Sequence, residues 1–131
     1  MTTAAPPAPT TGTPAETFDP HAFPGPLLDA QRELDGLNAA LQAHAKKLPW
    51  SREAHDGWEE VKEHWRQRAG RESTKGWESD DAAEYDRLMG ELRAKAAFVH
   101  CHEWWRTVEA NGVKGPALVD ARQALKRAAA A

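Results

Sequence analysis

From Leu27 to Leu48 the apolar positions Leu27, Ala30, Leu34, Leu37, Leu41, His44 and Leu48 recur at alternating spacings of three and four. That spacing gathers them on one side of a helix as a heptad-like seam. It predicts a first helix over 27–47, weakened at Gly36. Pro49 stops it, because a residue before proline avoids the α region. A second helix is expected over 52–69, with Ser51 as N-cap and Ala54, Trp58, Val61, Trp65 and Ala69 as its stripe. Gly70 ends it, and residues 70–78 read as a polar loop anchored by Trp77. The third and longest expected helix covers 80–110, capped by Ser79 with Asp80 and Asp81 at its positive end. It carries one stripe of Tyr85, Leu88, Met89, Leu92, Ala96 and Val99, and an opposed stripe of Phe98, Cys101, Trp105 and Val108. Asn111-Gly112 terminates it. A fourth helix starts at Pro116 and presents Leu118, Ala121, Leu125 and Ala128.

Long alternating runs of β-branched residues are absent, and the chain has no isoleucine. The expected fold class is therefore all-α: a small up-down bundle of about four helices over residues 27–131. Residues 1–26 read differently. They hold seven of the nine prolines and no lysine or arginine. Fixed proline φ angles and few apolar side chains predict a disordered Pro/Thr/Ala-rich tail, with Phe18 and Phe23 as residues able to dock on the core.

Charge narrows the function classes. The net charge is −3, and the tail accounts for two acids, Glu16 and Asp19, so the remainder is nearly neutral. Sequence-independent nucleic-acid binding needs a surplus of basic residues and is not expected. No long apolar run or signal-peptide core is present, so neither membrane insertion nor secretion is expected. The single cysteine suits a reducing cytoplasm.

The densest chemistry is Val-His-Cys-His-Glu-Trp-Trp at 99–105. His100, Cys101 and His102 are metal-ligand types, but on a helix they diverge, so they are weak metal candidates and a metal-binding helical protein stands as the second alternative reading. Cys101 belongs to an apolar stripe, which predicts burial and poor reactivity. With no phosphate loop, nucleophile elbow or His-Glu-x-x-His, the chain reads as non-enzymatic, without a cofactor or small-molecule substrate. His44 and Glu103 lie near the ends of parallel helices in the expected bundle and form a candidate buried polar pair. Six tryptophans exceed what so small a bundle needs to fill its core. Trp104, off both stripes, is the indole expected to be most exposed, whereas Trp58, Trp65 and Trp105 are expected in the core. Trp104, Arg106, Trp77 and Trp50 are the candidate protein-binding residues. Arg122, Lys126 and Arg127 on the fourth helix are the candidate DNA contacts of a competing regulator reading.

The phrases Leu-Pro-Trp-Ser-Arg-Glu (48–53), Gly-Trp-Glu-Ser-Asp-Asp-Ala-Ala-Glu-Tyr-Asp-Arg-Leu (76–88) and Val-His-Cys-His-Glu-Trp-Trp (99–105) resemble small uncharacterised proteins of Streptomyces and related actinobacteria. The resemblance covers most of residues 48–127 and implies a bacterial cytoplasmic setting but no activity. The sequence thus points to a non-catalytic interaction or accessory protein, acting on a protein partner or on a second copy of itself.

Overall fold

The computed structural model describes residues 17–131. The chain is largely helical: α1 Gly25–Ala45, α2 Ser79–His100, the seven-residue α3 Trp104–Ala110, and α4 Pro116–Ala130. Between α1 and α2 lies a two-stranded antiparallel sheet, β1 Val61–Glu63 and β2 Arg66–Arg68. The chain divides into two compact units, one containing residues 17–33 and 96–131, the other residues 34–95. The mostly helical class is as expected, but the elements are not the four helices read from the sequence. One expected helix is absent and another is split.

The first unit holds most of the buried apolar side chains: Leu27, Ala30, Val99, Trp105, Val108, Ala121, Ala124, Leu125 and Ala129. Leu27, Val108 and Leu125 are fully enclosed, each worth about 1.5–3 kcal/mol of burial. On α4 the buried positions fall at the three-and-four spacing that its sequence announces.

The helix expected over 80–110 breaks after His100 although no glycine or proline lies there. Two side chains take over backbone groups at the break. The Trp105 indole N–H donates to the Val99 carbonyl at 2.8 Å, near the end of α2. The His102 Nδ1 accepts the Trp104 backbone N–H at 3.0 Å, at the start of α3. Both satisfy groups that a helix end leaves orphaned. The break turns Cys101 outward, so its expected burial is corrected: it is exposed. At the other end of α3, the Gly112 N–H bonds the Glu109 carbonyl and the Val113 N–H bonds the Val108 carbonyl. This is the paired bonding of a Schellman end, with Gly112 at φ 87°.

Disorder expected for residues 1–16 lies outside the described residues. Residues 17–26 depart from that expectation, because they pack. The Phe18 ring sits 5.3 Å from Trp104, Phe23 meets Trp105 edge-on at 6.4 Å, and His21 lies 3.3 Å from the Asp120 carboxylate. Helix α1 has already begun at Gly25.

The second unit has little apolar core. Among the described residues only Leu41 and Leu88 are buried apolar side chains there. Where a helix was expected over 52–69, the chain forms a β-hairpin. Its pairings are His55 with Thr74, Trp58 with Arg71, Val61 with Arg68, Lys62 with Gln67 and Glu63 with Arg66. All share one register centred on a His64-Trp65 turn. Gly57 supplies a physical reason for the correction. It stands at φ 79°, and a Cβ there would lie 2.2 Å from the Arg71 carbonyl oxygen. Only glycine allows the two arms so close at that conformation. The base of the hairpin is tied to the helices by polar contacts. The Trp77 indole N–H donates to the Pro49 carbonyl at 2.8 Å, and its ring packs on Tyr85 at 5.0 Å. Arg52 forks onto both carboxylate oxygens of Asp86 at 2.8 Å, which holds the Asp86 carboxyl below its ordinary range.

Gly57→Ala should destabilise the chain by at least about 2 kcal/mol in urea unfolding; an unchanged midpoint would contradict the close approach at this position. Asp86 is more acidic folded than unfolded, so its contribution exists above the ordinary aspartate pKa of about 3.9 and disappears as pH falls through the lower folded value. Asp86→Asn should therefore lower the urea midpoint at neutral pH, with wild type and variant converging in acid. A gap that stays constant with pH would refute the linkage.

Candidate functional site

The hairpin of the second unit concentrates exposed arginine and tryptophan. Trp58 on the first arm and Trp50 in the loop before it are both held by carbonyls of the second arm. Trp58 Nε1–H donates to the Ala69 carbonyl at 2.9 Å, and Trp50 Nε1–H to the Glu72 carbonyl at 2.8 Å. The Trp50 ring stands edge-on to His55 at 4.9 Å and to Trp58 at 5.2 Å, closing a three-ring cluster. Trp65 occupies the turn and is 75% exposed. Each of these rings is covered by an arginine of the second arm. Arg66 lies 5.3 Å from the Trp65 centroid, Arg68 4.9 Å from Trp58, and Arg71 5.7 Å from Trp50. A cation over an indole face is electrostatically favoured. A guanidinium over a ring face can still donate from its edges.

A shallow depression at the hairpin base is lined by His55, Asp56, Gly57, Ser73, Thr74 and Lys75. Two of its functional groups serve the backbone. His55 Nδ1 accepts the Gly57 N–H at 2.8 Å, and Thr74 Oγ1 accepts the Gly76 N–H at 3.1 Å. They brace the arms.

The sequence candidates are redistributed. Trp104, expected to be the most exposed indole, is half-buried against Phe18, and its indole N–H is enclosed without a hydrogen-bond partner among the described residues. Trp65, expected in the core, is instead 75% exposed, more than Trp50. Trp58 is half-buried in the hairpin, and Trp105 is 3% exposed, in the core as expected. Trp50 is exposed at the hairpin base, and Trp77 is half-buried with Arg52 5.4 Å from its ring. Arg106 is exposed on α3.

The candidate buried pair of His44 and Glu103 is not present. The His44 Nε2–H donates to the Asp81 carbonyl at 2.9 Å within the second unit, and Glu103 is an exposed residue preceding α3 in the first. Its premise was a continuous third helix, and the break removes it. His100, Cys101 and His102 have separate surroundings: Arg122 approaches His100 Nδ1 at 3.3 Å, Cys101 is exposed, and His102 bonds the Trp104 N–H. Among the described residues no three His, Cys, Asp or Glu side chains gather as a metal site. Of the DNA-contact candidates, Arg122 is half-buried. It lies 4.5 Å from the Trp105 ring and donates to the His100 carbonyl at 3.3 Å. Arg127 is 3.9 Å from Asp120, and Lys126 is exposed.

The hairpin went unrecognised because Trp58, Val61 and Trp65 mimic a helical stripe. The available signal was Gly57, in mid-stripe.

Residues 26–128 match the sequence pattern of DUF8825, a domain of unknown function, and the chain belongs to that family. No curated protein and no solved structure matches it.

The geometry separates two roles for tryptophan. Trp105→Ala should cost about 3–5 kcal/mol of stability, whereas Trp65→Ala should change it by less than about 0.5 kcal/mol. Urea unfolding followed by far-ultraviolet circular dichroism distinguishes them. A large loss at Trp65 would make the turn indole a structural element.

Proposed function

We propose that this DUF8825 chain is a non-catalytic interaction module that binds a protein partner through its hairpin. The observation that carries the reading is Trp65, an indole 75% exposed on a two-residue turn with Arg66 against its ring. Trp and Arg are favoured as anchors in interfaces because each combines large contact area with directed hydrogen bonding. The competing regulator reading rests on α4. It has lost Arg122 to the Trp105 ring and the His100 carbonyl, and Asp120 stands among its remaining cations. A cytoplasmic setting is part of the proposal and fits the single cysteine.

The test is a pull-down from the source cell with wild type, Trp65→Ala and Trp104→Ala, at matched circular dichroism. The expected result is a protein recovered by wild type and by Trp104→Ala but lost with Trp65→Ala. Recovery of DNA in place of protein, or equal recovery by all three, overturns the reading.

A further inference from the structure

The hairpin is polarised in charge between its arms. Residues 55–63 carry Asp56, Glu59, Glu60 and Glu63 against one cation, Lys62. Residues 66–74 carry Arg66, Arg68 and Arg71 against one acid, Glu72. The acids of the first arm do not neutralise this row. Lys62 takes Glu60 at 3.7 Å, and Glu63 reaches only Arg66, at 4.0 Å. Arg68 and Arg71 form no ion pair among the described residues; the contact of each is with a tryptophan ring. All three arginines are exposed.

An arginine that lies on an indole has lost part of its rotamer freedom before any ligand arrives. Its planar fork keeps its donors at the guanidinium edges, away from the ring face. Binding a carboxylate there requires less ordering than binding at a free side chain, so affinity per contact rises. Addition of a strand to the arm's backbone is the less available mode. The Ala69 and Glu72 carbonyls, which no cross-strand bond uses, already accept the Trp58 and Trp50 indoles. Recognition therefore falls to the side chains.

We propose that Arg66, Arg68 and Arg71, laid over Trp65, Trp58 and Trp50, form a docking row for a short acidic segment of a partner protein. The inference rests on the interaction-module reading and supplies the chemistry of the partner. Charge complementarity selects the occupant. A short carboxylate-bearing segment follows the basic arm alone, whereas the extended phosphate chain of a nucleic acid also meets Asp56, Glu59, Glu60 and Glu63 on the neighbouring arm.

The experiment uses the full chain and fluorescence anisotropy of three labelled probes: an all-glutamate peptide, an all-glutamine peptide of equal length, and a single-stranded DNA oligonucleotide. Two variants accompany wild type, R66Q/R68Q/R71Q and R66K/R68K/R71K, with indole near-ultraviolet circular dichroism to confirm that the hairpin is intact. The expected result is binding of the glutamate peptide only, weakened roughly tenfold or more in the glutamine variant. The lysine variant, with charge but no planar fork, falls between them. Failure to bind the glutamate peptide, equal binding by either variant, or preference for the oligonucleotide overturns the inference. A chain that keeps a Trp65-dependent protein partner but ignores the glutamate peptide refutes the acidic segment alone, whereas loss of Trp65 dependence refutes the reading beneath it.

Discussion

Donation from indole N–H groups to backbone carbonyls is the interaction on which the fold depends. Four of the six tryptophans make it: Trp50 to Glu72, Trp58 to Ala69, Trp77 to Pro49 and Trp105 to Val99. Each bond sits where regular structure stops. Three fall in the hairpin and its base, and one at the end of α2. A carbonyl left unpaired beside an apolar ring costs free energy, and the same ring supplies the donor that removes the cost. Tryptophan thus contributes area and satisfaction together, above all in the second unit, where Leu41 and Leu88 are the buried apolar side chains.

The two units use this device differently. In the first, Trp105 is enclosed in an ordinary apolar core and its bond fixes a change of helix direction. In the second, the rings are partly open and arginine covers them. Closing the open side of an indole with a guanidinium leaves a surface that is cationic outside and aromatic beneath. Stability and presentation come from the same contacts, so the exposed row is no loose collection of side chains.

How much of this was legible depended on whether local pattern and tertiary partners agreed. For α1 and α4 they did. Leu27, Ala30 and Leu41 are buried at the spacing that the sequence displays, and Ala121 and Leu125 likewise. The Asn111-Gly112 stop and the Pro116 start were read from residues whose backbone preferences act alone. The hairpin was illegible because its tryptophans are spaced as a helix would space them, while the partners that hold them, Ala69 and Glu72, contribute only backbone atoms. A carbonyl has no signature in sequence. The break after His100 was hidden for the same reason: the Val99 carbonyl is captured by the Trp105 indole and the Trp104 N–H by His102, and neither backbone group shows in sequence. The candidate site inherited both errors. Trp50 and Trp77 are candidates by the excess of indoles over the needs of a core, which holds at any fold. Trp65 lies outward and Trp104 inward, against expectation, because the helix expected around Trp65 is absent and the one expected around Trp104 is broken.

The two units also differ in when their chain becomes available. Residues 34–95 are contiguous, so the whole of the second unit has left the ribosome once Lys95 has. The first unit is discontinuous: Arg32 bonds the carbonyl of Ala129, 97 residues later, and Phe18 and Phe23 pack on Trp104 and Trp105. Leu27 and Ala30 therefore have no completed core to enter until α4 emerges. During vectorial synthesis the hairpin unit can close first, and the N-terminal arm must wait for the far end of the chain.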